Sequence, residues 1–274
     1  MTHQRGSIIS VWNWYSYKIP SEPVLYSENV SADNPFISAG SQRTYCIQAW
    51  QGDPGIVRTS QEVKYRTIIE LTERDGFTAA EFCSSCLIRK PLRSKHCSVC
   101  DKCISRFDHH CPWVGNCIGE KNHSYFLGYL IFLSCLAITS AYGCIVYISE
   151  ACVYPVSDGW YEYVKAGALC SPWVTWILMN MIFHAFWVSC LTVCQLYQVM
   201  YLAMTTNERM NTGRYKHFHG KRGEIKSPFH KGVLQNLVDV AGWNILGIIR
   251  PSRTDWSKKF QMEDEPLLGS QYTV

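Results

Sequence analysis

Apolar positions along the chain fall into two long blocks. Tyr125 to Ile148 is 24 residues without a formal charge, and Ser171 to Met204 is uncharged for longer still, with Trp173 to Cys194 its most apolar part. About 20 helical residues cross the hydrocarbon core of a bilayer, so the blocks predict two membrane-spanning helices, at 124–149 and 171–204. Asn180 and His184 lie one turn apart inside the second block. Polar groups at that depth face a neighbouring helix or a cavity, which predicts an interhelical hydrogen bond rather than a direct role. Residues 1–45 contain no span and no signal-type apolar region, and are expected to form a flexible leader. Residues 46–82 read as a linker, with 61–82 a short helix or connection, and 205–274 as a tail.

Charge orients this pattern. The loop at 150–170 carries Asp158 and Glu162 against Lys165, next to Glu150, whereas 83–121 and 205–231 carry seven Lys or Arg each. The positive-inside bias puts both flanks in the cytosol and the loop in a lumen. A mean hydropathy of −0.09 conceals this segregation. The net charge of +4, with no long basic run, is too small to argue for a nucleic-acid partner, and none is expected.

Half of the 14 cysteines lie in 83–117. Cys83 and Cys86 form a C-x-x-C, as do Cys97 and Cys100, and Cys100 and Cys103 repeat the spacing. Thiolates three positions apart converge on one metal from a tight turn, and structural zinc takes four S or N ligands in a tetrahedron. Adding His96, His109, His110, Cys111 and Cys117 gives ten candidates, of which two sites use eight. Adjacent side chains in an extended chain point opposite ways, so His96 and Cys97 serve different metals. The assignment is Cys83, Cys86, His96 and Cys103 to one zinc, and Cys97, Cys100, His110 and Cys117 to a second, on a domain at 83–123. Such thiolates must stay reduced, which places the domain in the cytosol. A disulfide framework is the competing use, and C-x-x-C pairs interleaved with histidines favour metal.

Cys111 is left over, with His109 two residues before it and Asp108 alongside. An imidazole can take the thiol proton while a carboxylate holds its tautomer, the logic of a nucleophile, base and orienter. The other reading makes Cys111 a ninth, alternate ligand; spacing leaves both open.

Cys83-x2-Cys86, Arg89-Lys90-Pro91, His96-Cys97-x2-Cys100-x2-Cys103, Asp108-His109-His110-Cys111-Pro112-Trp113 and Cys117 together resemble the cysteine-rich domain of the DHHC protein S-acyltransferases. From about Tyr45 onward the chain is similar to the C-terminal part of the ankyrin-repeat, huntingtin-binding branch of that family, and more so to the member keeping a full Asp-His-His-Cys. The resemblance implies an α-helical membrane protein with two transmembrane helices here and a cytosolic domain of small β-hairpins holding two zinc ions. It implies protein-cysteine S-palmitoylation, in which acyl-CoA acylates Cys111, His109 serves as base supported by Asp108, and a substrate protein's membrane-proximal cysteine takes the chain. Thr205-Thr206-Asn207-Glu208 is similar to the family's Thr-Thr-x-Glu, which puts Thr206 near Asp108 and ties Glu208 to the zinc domain. Asn236 matches an asparagine that packs beside the catalytic domain, and Asp53-Pro54-Gly55 the segment following a membrane helix. Tyr215-Lys216-His217-Phe218 and nearby basic residues suit an anionic membrane face or coenzyme A phosphates. Golgi and vesicle membranes are the implied compartment. The relatives carry ankyrin repeats and four membrane helices upstream that residues 1–45 do not show, so a truncated, inactive adaptor presenting the zinc domain is the alternative function; a cross-braced ubiquitin-ligase module is a third. Glu263-x3-Leu267-Leu268 and Tyr272-Thr273-Val274 read as weak sorting and peptide-ligand strings.

Overall fold

The computed structural model describes residues 39–73, 78, 81–152, 159–219, 224–242, 249–252 and 254–260. The sorting and peptide-ligand strings at 263–268 and 272–274 lie outside them.

Helix α1 (Ala39–Gln51) begins inside the stretch expected as a leader, so the boundary at 45 is not a structural one. The helix forms because it has a partner: the Tyr45 ring lies over Gly128 of α3 (His123–Ala151), where an added Cβ would come within 2.6 Å, and pairs with Tyr125 and Phe132. Its C-terminal carbonyls are capped by side chains from farther along the chain. Asn116 donates to the Ala49 and Gly52 carbonyls, and Asn122 to Ala49. The Asp-Pro-Gly segment is a turn whose Asp53 carboxylate accepts the Gly55 and Ile56 amides, each at 2.9 Å. From it the chain runs beside Ile104 and Cys103, then enters α2 (Gln61–Glu73).

Three antiparallel hairpins follow: β1–β2 (Phe82–Cys83, Ile88–Arg89), β3–β4 (Lys95–Cys97, Lys102–Ile104) and β5–β6 (His109–Cys111, Asn116–Ile118). Each pairs only with itself as a ladder, and the apolar side chains available to them are few, chiefly Ile88, Ile104, Phe107 and Ile118.

α3 has 29 residues and α5 (Pro172–Tyr197) runs on through a π-helical turn, Gln198–Leu202. Both are long and apolar enough to cross a membrane, with mean hydropathies of 2.0 and 1.8. They pack together, and Ser134 and Thr192 hydroxyls meet across the interface at 3.1 Å. The interhelical bond expected at Asn180 and His184 is not made: Asn180 donates to the Trp176 carbonyl, and His184 Nδ1 pairs with the Asn180 carbonyl, both on their own helix. Short side chains on a helix reach the preceding turn more readily than a partner helix. The loop between the spans is also more structured than expected. It contains α4 (Gly159–Cys170), and a Cys152–Cys170 disulfide ties the end of α3 to the start of α5. Disulfide bonding, set aside for the hairpins, therefore does occur in this chain.

The π turn ends at left-handed Ala203, and Thr205 starts α6 (Thr206–Met210) with a capping box closed by Glu208. α7 (Val233–Ala241) lays Val240 against Leu127 and Val199. Asn236 donates to the Met200 carbonyl within the π turn at 2.8 Å and accepts the Lys231 amide, the packing role expected of it. Tyr215, His217 and Phe218 form an aromatic cluster with Phe229, and Phe218 is fully buried.

Gly119 packs tightly between β4 and the turn segment. A Cβ there would lie 2.5 Å from both Ile104 Cγ2 and the Pro54 carbonyl oxygen. Overpacking of this kind costs about 1–3 kcal/mol. Gly119→Ala is expected to lower the melting temperature of the detergent-solubilised chain by roughly 5 °C, read by thermal unfolding, whereas Gly143→Ala, which meets nothing, leaves it in place.

Candidate active site

The three hairpins repeat one another. Cys83, Cys97 and Cys111 stand fourteen residues apart, each closing the first strand of its hairpin. Leu87, Asp101 and Gly115, at the same spacing, all have positive φ (55°, 52° and 68°) where the tip turns back. In each tip two backbone amides approach the cysteine sulfur: Ser85 and Cys86 at Cys83, Val99 and Cys100 at Cys97, Trp113 and Val114 at Cys111. The cross-strand partners also correspond: Phe82 with Arg89, His96 with Cys103, His110 with Cys117.

Two clusters arise where the tip of one hairpin meets the strand pair of the next. Cys83 and Cys86 face His96 and Cys103; Cys97 and Cys100 face His110 and Cys117. His96 Nδ1 lies 3.5, 3.3 and 3.9 Å from the sulfurs of Cys83, Cys86 and Cys103. His110 Nδ1 lies 3.8, 3.4 and 3.6 Å from those of Cys97, Cys100 and Cys117. Bonds of about 2.3 Å to sulfur and about 2.0 Å to nitrogen give a tetrahedron with S–N edges near 3.5 Å, so each set fits one four-coordinate ion. The structure brings together the same eight residues, in the same two sets, as the spacing predicted.

Cys111 belongs to neither cluster. It is buried among Ile118, Phe126, Leu130 and Val188, with Val114, Tyr129 and Leu133 around them, where α3 begins and the second half of α5 passes. His109 Nδ1 is 2.6 Å from Asp108 Oδ2, and the ring interacts with the Cys111 thiol on its other side. Burial pushes the thiol up, but the His109 hydrogen bond, the Val114 amide and the imidazolium charge outweigh it and leave Cys111 below the ordinary thiol range. Burial opposes charging of His109, yet the Asp108 and Cys111 bonds raise it to about 9. Each shift favours the charged form of its group, the thiolate at Cys111 and the imidazolium at His109.

Asp108, itself fully buried, is fixed by four donors. The Thr206 amide reaches Oδ1 at 2.6 Å, and Oδ2 takes His109, the Thr206 hydroxyl at 3.1 Å and Gln195 Nε2 at 3.4 Å. Burial raises the carboxyl, but the His109 bond and charge and the Thr206 amide hold it well below the usual range. Thr205 Oγ1 donates to the Phe107 carbonyl, so Thr205 and Thr206 grip both sides of the Asp108 peptide. Glu208 forms a two-bond pair with Arg93, both at 2.6 Å, and Arg93 also stacks on Phe229 and Trp256 and donates to the Ala203 carbonyl.

Arg93 and Gln195 escaped the sequence reading. Arg93 is one cation among several in a basic stretch, although its buried position needs an acidic partner such as Glu208. Gln195 is one of several polar residues in the apolar block, and nothing in its spacing links it to Asp108.

A thiol, an imidazole and a carboxylate stand together on hairpins whose other cysteines and histidines form two four-donor clusters, against apolar helices, which is the arrangement of a nucleophile, a base and an orienter. The comparisons agree with that class. The DHHC palmitoyltransferase family model matches residues 76–213, about half the chain, and the chain belongs to that family. It is 48% identical over 83% of its length to palmitoyltransferase ZDHHC17 of Danio rerio, and 49% identical over 81% to palmitoyltransferase Hip14 of Drosophila melanogaster. To human palmitoyltransferase ZDHHC13 it is 39% identical over 81%. The chain spans 36–37% of the length of these relatives.

The Arg93–Glu208 pair is nearly inaccessible to solvent, and removing one partner of a buried pair costs about 3–5 kcal/mol. Arg93→Met is expected to expose the segment after residue 205 to limited proteolysis in the folded chain. Arg93→Lys, which keeps the charge but not the fork, gives an intermediate rate.

Proposed function

We propose that this chain is a protein-cysteine S-palmitoyltransferase unit that works through an acyl-Cys111 intermediate. The observation that carries the reading is that Cys111 stays outside both four-donor clusters while paired with a carboxylate-held imidazole.

Cys83, Cys86, His96 and Cys103 would hold one zinc, and Cys97, Cys100, His110 and Cys117 the other. Both ions would be structural, each joining neighbouring hairpins, and all eight donors are used in doing so. The reaction then belongs to the protein's own groups. Cys111 sulfur attacks the thioester carbonyl of an acyl-CoA whose chain lies against Phe126, Leu130 and Val188. Coenzyme A leaves as a thiolate and takes the proton from His109. In the second step the substrate protein's thiol gives its proton to the now neutral His109, its sulfur attacks the acyl-Cys111 carbonyl, and Cys111 departs as the thiolate that restores the pair. One thioester replaces another in each step, so positioning by the Asp108–His109 bond governs rate more than driving force does. A site at the start of α3 and the end of α5 would select substrate cysteines close to the membrane surface.

The hairpins and the tail would face the cytosol and the α4 loop a lumen. Two chemical states of cysteine support that orientation independently of charge: thiolate donors before α3, and a disulfide between α3 and α5. In sealed microsomes, Cys152 and Cys170 are expected to resist a membrane-impermeant maleimide until the vesicles are opened and reduced. Reaction in unopened, unreduced vesicles overturns the orientation.

Cys111→Ser is expected to abolish hydroxylamine-sensitive incorporation of labelled palmitate from palmitoyl-CoA while two metal ions per chain remain, read by elemental analysis. Asp108→Asn should lower the labelling rate by one to several orders of magnitude at the same metal content. Loss of a metal ion in Cys111→Ser makes Cys111 a ligand and sinks the proposal, as does unchanged labelling.

A further inference from the structure

The fourteen-residue repeat assigns a role to Val114. In the first two hairpins the cysteine that ends the leading strand is followed three residues later by a second, Cys86 or Cys100, and the pair enters a cluster. Cys111 occupies the first of these positions in the third hairpin. Its tip has the same turn, with Gly115 at positive φ, and the same approach of two amides to the sulfur. The second position holds Val114, partly buried against the Cys111 cluster. We propose that the third hairpin is a metal-binding tip with one ligand missing, and that Val114 is the residue that keeps metal off the nucleophile.

The backbone alone therefore does not distinguish a ligand cysteine from the reactive one. What distinguishes them is the partner side chain three residues on, and the presence of a following strand pair. For the first two tips those pairs are His96–Cys103 and His110–Cys117. A thiol at 114 would stand beside Cys111 as Cys86 stands beside Cys83, with the His109 ring at hand as a third donor. Three such donors make an open site of the kind that binds zinc with a water as fourth ligand.

The test is Val114→Cys, with Val114→His as a second variant that adds a ligand without adding a thiol and Val114→Ser as the control. Each full-length chain is equilibrated with zinc, desalted and assayed for metal per chain and for palmitate labelling. The expected result is three equivalents in the Cys and His variants and two in the Ser control. Labelling in the Cys and His variants should fall at least tenfold with zinc present and return with a mild chelator, whereas the control does not respond to either. Two equivalents in both variants overturn the proposal. So does failure of the Cys variant to hold even two, because equivalence of the three tips requires that a cysteine fit at 114. The idea that Cys111 is the nucleophile rests on the acyl-transfer reading, but the metal count does not. A third equivalent with no labelling in any form, control included, would retain the tip and discard the transferase.

Discussion

Strand pairs of two or three residues cannot hold themselves together, and the pairing of donors across and between hairpins is the constraint on which this molecule depends. Isolated hairpins are marginal in water even when longer than these. Here the second and third strand pairs each offer one histidine and one cysteine directly opposite each other, His96 with Cys103 and His110 with Cys117. The preceding tip adds two sulfurs to each. Every hairpin is thereby tied to the next, and the order of residues 83–117 along the chain becomes the order of the stack.

The stack ends at the third hairpin, and what the first two tips do with their cysteines explains what the third is free to do. A turn shaped to present sulfur to a metal already points amides at that sulfur and favours its charged form. With no further strand pair to complete a site, the same turn presents Cys111 outside both donor clusters. His109, on the strand that carries ligand His110, falls on the opposite face because strand neighbours alternate. Metal chemistry and sulfur chemistry are thus separated by one residue of register.

Asp108 joins that domain to the membrane helices. Its carboxylate takes donors from β5, from the capping turn after α5 and, through Gln195, from α5 itself. The π turn and left-handed Ala203 let α5 end in time for Thr205 and Thr206 to reach it, and Asn236 and Arg93 satisfy carbonyls that this irregular segment leaves open. The eight donors and the two spans were legible in the sequence because both are set by local spacing, two thiols in one turn or an uncharged run long enough to cross a bilayer. The fourteen-residue period was equally present in the positions of Cys83, Cys97 and Cys111, though it is masked by Val114. Arg93, Gln195 and the Asn116 and Asn122 caps were not legible, since each depends on a partner tens of residues away. The mistaken interhelical role for Asn180 and His184 has the same origin: period and depth say that a polar group needs a partner, but not whether its own helix supplies one.

This arrangement also decides how much tolerance the site has. Cys111 and His109 lie at the edge of an apolar cluster, where an unpaired charge is costly, so the charged form of each is favoured by the other and by Asp108. In the proposed mechanism, acylation would remove the charge on sulfur and, once the proton had left with coenzyme A, the charge on His109 as well. A neutral acyl-enzyme would then suit the apolar wall formed by Phe126, Leu130 and Val188 better than a charged pair does. Release of the chain to a substrate thiol would rebuild the pair in the same place, beside the same buried, four-donor carboxylate. A domain with so little core of its own can place three reacting groups this closely because the carboxylate is held from the membrane side while the sulfur and the imidazole are held from the metal side.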